Sequence, residues 1–193
     1  MIRARGLERR YGAKRVLRGL DLDVARGDFT VVTGSNGSGK TTLLRLVAGL
    51  AAPTGGELTV DVDRAHLGFV GHESLVYREL TAIENLVLYA RLYRVPEARE
   101  RIGMLLERFG LWDARNERAS TYSRGMLQRL ALCRALLHEP SLLLLDEPYS
   151  GLDAEGAELL DRELAERRAR ATFLVATHDP ERLASLATGA LAL

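Results

Sequence analysis

The run Gly34-Ser35-Asn36-Gly37-Ser38-Gly39-Lys40-Thr41 constrains this chain more than any other stretch of it. A loop of the form GxxxxGK[ST] wraps backbone N–H groups around a phosphate and places glycines where side chains would collide with oxygen. It also aims a helix N-terminus at the anion. Lys40 is placed to neutralise the outer phosphates, and Thr41 to offer its hydroxyl to Mg²⁺. Val31-Val32 reads as the strand entering the loop and Thr42-Leu43-Leu44-Arg45-Leu46-Val47 as the helix leaving it, which is the context such a loop requires.

Composition narrows the partners. With 193 residues the chain fits one domain, and a formal net charge of +1 gives no electrostatic case for nucleic acid. Lys14 and Lys40 are the only lysines, so a lysine inside a phosphate loop is not background composition. The single cysteine, Cys133, excludes an internal disulfide framework and falls on an apolar helix face as a core thiol. The longest apolar runs, such as Leu142 to Leu145, are far shorter than the ~20 residues of a membrane span, and the start lacks a signal-peptide core. A cytoplasmic protein that reaches the membrane only through a partner is expected.

The first 33 residues carry β-like segments split by Tyr11-Gly12, Gly19 and Arg26-Gly27-Asp28, an antiparallel edge sheet feeding the phosphate loop. Two short strands follow at Glu57 to Val60 and His66 to Val70, and the pattern then turns helical. Thr81-Ala82-Ile83-Glu84 is a capping box opening a helix to about Leu92. Pro96 suits a first helical position and Gly110 a stop, which predicts a helix over Pro96 to Phe109. A third helix spans about Gly125 to His138 before Pro140. Leu142 to Leu145 returns to strand, Asp153 N-caps a helix from Ala154 to about Arg168, and Phe173 to Ala176 is expected as the last buried strand. The fold class is therefore α/β, a phosphate-loop core with an antiparallel β edge (about 1–71 and 140–193) and an inserted helical subdomain (about 72–139).

Leu142 to Leu145 ends in Asp146-Glu147, which places two carboxylates at a strand's C-terminal edge beside the nucleotide crevice. Asp146 would hold the Mg²⁺ shell and Glu147 would polarise an attacking water as general base. His178, in Thr177-His178-Asp179 just past a buried strand, is a third candidate.

Taken in order, Gly34 to Thr41, Tyr122-Ser123-Arg124-Gly125-Met126, Asp146-Glu147, Ser150-Gly151-Leu152-Asp153 and His178 resemble the nucleotide-binding domain of ABC ATPases over essentially the whole chain. The resemblance implies ATP and Mg²⁺ as ligands, with Gly34, Ser35, Asn36, Gly37, Ser38, Gly39, Lys40, Thr41 and Thr42 at the phosphates and Tyr11 stacked on adenine. It implies that Ser123 and Gly125 meet the γ-phosphate held by a second subunit, so that the working unit is an ATP-dependent dimer. Ser150 to Asp153 matches the loop crossing that interface, and His178 the switch histidine at the γ-phosphate. The expected partner is a membrane permease, received in a groove that includes Leu75, Val76 and Tyr77.

Three features depart from the family's usual pattern. Val70-Gly71-His72 puts a histidine where a glutamine normally touches Mg²⁺ and water, and Mg²⁺ prefers oxygen ligands, so His72 is expected to act through water. Tyr122, Arg124 and Met126 replace the common Leu, Gly and Gln; Arg124 reads as a solvent-facing side chain or as a cation acting in trans. The sequence runs fifteen residues past His178, so no appended regulatory domain is expected. The Ser-Arg-Gly-Met signature, Gly-His and short length look like the ATP-binding subunits of haem exporters in cytochrome c maturation. Drug, lipid or polysaccharide efflux subunits are the alternative. A DNA-maintenance ATPase would insert a long coiled coil between Lys40 and Ser123, and a ribosome-acting one would carry two sets of motifs.

Overall fold

The computed structural model describes all residues 1–193. Two sheets organise it. The strands β1 (Ile2–Tyr11), β2 (Lys14–Val24) and β4 (Gly55–Val60) form an antiparallel sheet in the order β2-β1-β4. A wholly parallel sheet has the order β5 (Leu67–Val70), β6 (Leu142–Asp146), β7 (Thr172–Ala176), β3 (Phe29–Thr33), β8 (Gly189–Ala192). The strands β6 and β7 are buried on both faces, which explains why they read as unbroken apolar runs.

Side-chain alternation assigns the two faces of the parallel sheet. Leu142, Leu144, Leu174, Ala176 and Val32 pack with Leu43, Leu44, Leu46 and Val47 of helix α1 (Lys40–Val47) and with Ile2, Ala4, Leu7, Leu22 and Val24 of the antiparallel sheet. Leu143, Leu145, Phe173, Val175, Phe29, Val31 and Val70 face the other way. There they join α2 (Ala82–Tyr93), α3 (Ala98–Arg108), α4 (Arg124–Leu136) and α5 (Ala154–Arg167) in a second core. By the same period Asp146 points to the α1 side, toward the phosphate loop.

The capping box at Thr81 forms as expected: Glu84 N–H donates to Thr81 Oγ1 at 3.1 Å and Thr81 N–H to Glu84 Oε2 at 2.8 Å. Asp153 caps α5 through Gly156 N–H at 2.8 Å. Cys133 is fully buried, and burial pushes its thiol well above the usual range.

Four expectations change. Gly19 does not split a strand; at φ +75 it is the extra residue of a bulge inside β2, where the register slips between Leu7↔Leu20 and Glu8↔Arg18. The segment entering the phosphate loop, β3, belongs to the parallel sheet rather than to the antiparallel edge. Pro96 is not a first helical residue, because Glu97 takes a left-handed conformation (φ +49) and α3 starts at Ala98. Phe173 to Ala176 is not the last strand: the short, mostly exposed Gly189–Ala192 pairs with β3 beyond it.

Helices α3 and α5 are tied by one buried carboxylate. Glu163 on α5, 1% exposed, bonds Arg108 at the end of α3 at 2.7 Å and also Arg167. Burial alone would raise its pKa, but Arg167 and then Arg108 overcome this and hold it below the usual carboxylate range. A depressed folded pKa contributes stability above the unfolded value and loses it as pH falls through the folded one. Glu163→Ala is therefore expected to lower the thermal midpoint strongly near pH 7 and much less near about pH 3, a comparison that differential scanning calorimetry makes directly.

Candidate nucleotide site

Four loops converge at the C-terminal edge of the parallel sheet, leaving β3, β5, β6 and β7. They supply the phosphate loop, His72, Asp146-Glu147 and Thr177-His178 respectively. A cavity of about 430 Å³ there is lined by Asn36, Gly37, Gly39, Lys40, Thr41, Thr42, His72, Asp146, Glu147, Ser150 and His178, and on its far wall by Lys14 and Val16 of β2.

The loop needs its glycines. A Cβ on Gly34 (φ +147) would lie 2.6 Å from Ser38 Oγ and 2.6 Å from Leu193 O, and one on Gly39 (φ +115) would lie 2.8 Å from Leu17 Cδ2. Gly39 then starts α1 with no side-chain cap, so the first-turn amides at Lys40, Thr41 and Thr42 have no partner within the helix and are free for an anion. Lys40, 8% exposed, is held inside the loop, its ammonium donating to Gly34 O at 2.7 Å and Ser35 O at 3.3 Å. Both lysines of the chain thus line one cavity.

Asp146 is 2% exposed, and neither carboxylate oxygen has a hydrogen-bond partner. Burial raises its pKa; the nearby Thr41 hydroxyl pulls it back, Glu147 raises it again, and His72 and Lys40 lower it. A buried, unpartnered carboxylate beside a threonine hydroxyl is a donor set for a hard divalent cation, so the residues present fit Mg²⁺. Thr41 and Asp146 would hold the ion, which supplies charge neutralisation for phosphate oxygens when bound.

Glu147 follows with φ +48, a left-handed conformation that costs a non-glycine residue on the order of 1 kcal/mol or more. Its N–H donates to Ala176 O at 2.8 Å, anchoring it to the end of β7, and its Oε2 lies 2.7 Å from His178 Nδ1 and 3.3 Å from His178 N. The carboxylate expected as base and the histidine expected at the γ-phosphate are therefore direct partners. The imidazole is largely exposed, with 76% of its side chain open, and the glutamate is mostly covered.

Other candidates stand apart. Ser123 caps α4 through Met126 N–H at 3.2 Å, and neither Ser123 nor Gly125 lines the phosphate-loop cavity. Tyr11 sits at the β1–β2 hairpin, 45% exposed, with the Arg9 guanidinium 4.5 Å from its ring centroid, and is likewise outside the lining. His72 is exposed and joins this cavity to a second of about 650 Å³, which also contains Leu75, Val76, Arg78, Arg124 and Gln128. Sequence reasoning missed Lys14 and Val16. The rarity of lysine was the available signal for the first.

A phosphate loop, a strand-end carboxylate pair and a histidine gathered on one sheet edge are the arrangement of a P-loop nucleotide site. The ABC transporter family model matches residues 17–150, and the chain belongs to that family. It is 38% identical over 185 residues to the ABC transporter ATP-binding protein YdbJ of Bacillus subtilis (strain 168), covering 90% of this chain and 59% of that protein. It is 42% identical over 168 residues to the daunorubicin resistance ATP-binding protein DrrA3 of Streptomyces coeruleorubidus, covering 81% and 53%. The chain thus spans between half and two thirds of the length of these relatives. Among solved structures, an ATP-binding subunit of an ABC transporter superposes with a TM-score of 0.91 at 28% identity, over 100% of this chain and 85% of the other. A dimeric post-hydrolysis state of the ATP-binding cassette MJ0796 bound to ADP and Pi gives 0.87 at 28%, over 100% and 94%.

A carboxylate whose folded pKa is raised destabilises the fold as pH rises through that value. Asp146→Asn is therefore expected to raise the thermal midpoint of the nucleotide-free protein near pH 7, with the gain shrinking toward about pH 4, while abolishing the extra stabilisation that Mg-ATP gives the wild type. Melting curves with and without Mg-ATP at the two pH values check both halves.

Proposed function

We propose that this chain is the ATPase subunit of a membrane transporter, peripheral on the cytoplasmic face, and that it hydrolyses Mg-ATP in a dimer in which each site is completed by a second subunit. The observation that carries this reading is the placement of Asp146 and Glu147 at the mouth of the phosphate loop, with His178 on the Glu147 carboxylate. Lys40 and the loop amides bind the phosphates, and Thr41 and Asp146 hold the Mg²⁺ shell. Glu147 takes the proton of the attacking water, and His178 orients that carboxylate and meets the γ-phosphate. His72 reaches the same centre through water, and Tyr11 supports adenine.

Ser123 and Gly125, outside their own cavity, serve the site of the opposing subunit. The solved relatives described as dimeric support a paired arrangement.

For permease docking, the segment 74–80 has the required character. Its backbone is fixed from below: Tyr77 N–H donates to Asn85 Oδ1 at 2.8 Å, Asn85 Nδ2 donates to Tyr77 O at 2.9 Å, and Tyr89 Oη donates to Leu75 O at 3.0 Å. The side chains of Leu75 (46% exposed) and Tyr77 (54%) nevertheless face outward, while Val76 packs against the core. A rigid backbone presenting apolar groups suits a helix-in-groove partner. No helix of the chain is long and apolar enough to cross a membrane.

Cargo is read only from motif style. Ser123-Arg124-Gly125-Met126 with His72 favours haem export in cytochrome c maturation. Relatives named for daunorubicin resistance, lipoprotein release and Nod factor export are compatible with the alternative of drug or lipid efflux, although others are named for import. The membrane subunit that co-purifies from detergent-solubilised membranes decides between them.

The chemical roles are tested by two variants. Lys40→Ala should abolish tight ATP binding. Glu147→Gln should retain it, lose about 10²- to 10⁴-fold in turnover, and elute as a dimer in Mg-ATP on size-exclusion chromatography. A monomeric Glu147→Gln hydrolysing ATP at the wild-type rate would remove Glu147 from the mechanism.

The docking surface has its own test. Leu75→Asp or Tyr77→Ala should weaken co-purification with the permease while leaving ATP binding and the thermal midpoint of the isolated subunit unchanged. Unchanged recruitment with a sharply lower midpoint would show that these residues are core.

A further inference from the structure

Helix α4 holds the turn that follows Glu147 from one side. Arg124 and Gln128 lie four residues apart on α4 and so share a face. Gln128, 8% exposed, donates its Nε2 to Pro148 O at 2.9 Å, and Arg124 donates its Nη2 to Ser150 Oγ at 2.8 Å. Ser150 N–H in turn donates to Glu147 O at 2.9 Å. The turn and the helix also touch through glycine: a Cβ on Gly125 would lie 2.8 Å from Gly151 O, and one on Gly151 (φ +80) only 2.9 Å from Arg124 Cγ. The Arg124 stem therefore lies over Gly151 while its guanidinium reaches Ser150, and the same arginine lines the cavity that contains Asp146 and Glu147.

We infer that Arg124 is a positioning residue for the hydrolytic site of its own subunit, acting through Ser150 to hold the Glu147–Ser150 turn and with it the left-handed backbone of Glu147. A left-handed glutamate persists only where its surroundings over-determine it. At this position the constraints are Ala176 O and the His178 contacts to the carboxylate on the β7 side and, on the α4 side, the Gln128 and Arg124 contacts. Of these, Arg124 is exposed and lies at the first position of α4, so it can be replaced without opening a cavity in the core. The assignment differs from a cation reaching the phosphates of an opposing subunit, because the guanidinium is engaged in cis by Ser150 and its effect must travel through that hydroxyl.

The inference rests on the ATPase reading of the site, and two measurements separate them. Hydrogen exchange of the nucleotide-free subunit should show faster exchange at the Ser150 and Leu152 amides in Arg124→Ala than in wild type, with Arg124→Lys partly restoring protection; this readout needs no activity. In steady-state kinetics with Mg-ATP, Arg124→Ala should lower kcat about tenfold or more with KM changed by less than about twofold and an unchanged thermal midpoint, as expected for one charge-assisted hydrogen bond. Ser150→Ala should give a loss of similar size, and the double variant no more than the larger single loss. Unaltered exchange in Arg124→Ala, or losses that multiply in the double variant, would overturn the inference. A wild-type rate no higher than that of Lys40→Ala, with exchange altered as described, would count against the ATPase reading and leave the tether standing.

Discussion

Because β6 lies between β5 and β7, and β3 lies beyond β7, all pointing the same way, four loops must leave the parallel sheet at one edge. Every group that one subunit is proposed to bring to its own phosphates from the sheet edge depends on that constraint. The phosphate loop, His72, Asp146-Glu147 and His178 come from stretches more than a hundred residues apart at the extremes, yet strand register alone delivers them to one cavity. Helix α1 is the wedge that fixes the arrangement: its apolar face is buried between the two sheets while its amide end stays open to an anion.

Two charged groups carry opposite energetic signs in this framework. Glu163 is buried but paired on both sides, so it joins α3 to α5 at little residual cost. Asp146 is buried with no partner and remains a liability until a cation arrives. Glu147 adds backbone strain at the next residue. Stability is thus sacrificed at two consecutive positions of the site and supplied elsewhere by the cores on both faces of the sheet, a distribution common to sites organised before their ligand binds.

Much of this was legible in the sequence, for physical reasons specific to each element. The doubly buried β6 and β7 announce themselves as apolar runs, the α2 capping box is a short-range hydrogen-bond pattern, and the phosphate loop is a glycine pattern with one steric meaning. What was not legible depends on tertiary pairing. β8 is four residues, three of them exposed, too short to show a strand period, and exists because β3 has a free edge. Gly19 looks like a strand break, yet the pairing of β1 with β2 absorbs it as a bulge. The Arg124–Ser150 contact joins residues 26 apart, and a charged side chain at the start of a helix gives no hint of its partner.

In the reading proposed above the site is half of a composite one: the phosphate-loop cavity contains Lys40, Asp146, Glu147 and His178, while Ser123 and Gly125 lie outside it. The most direct test of that account is the initial rate of Mg-ATP hydrolysis per subunit, measured against protein concentration for the wild type and for Ser123→Arg. The account predicts a wild-type rate that rises with concentration, and a Ser123→Arg protein that binds ATP as an isolated subunit but does not turn it over. A concentration-independent rate from a demonstrated monomer would contradict it.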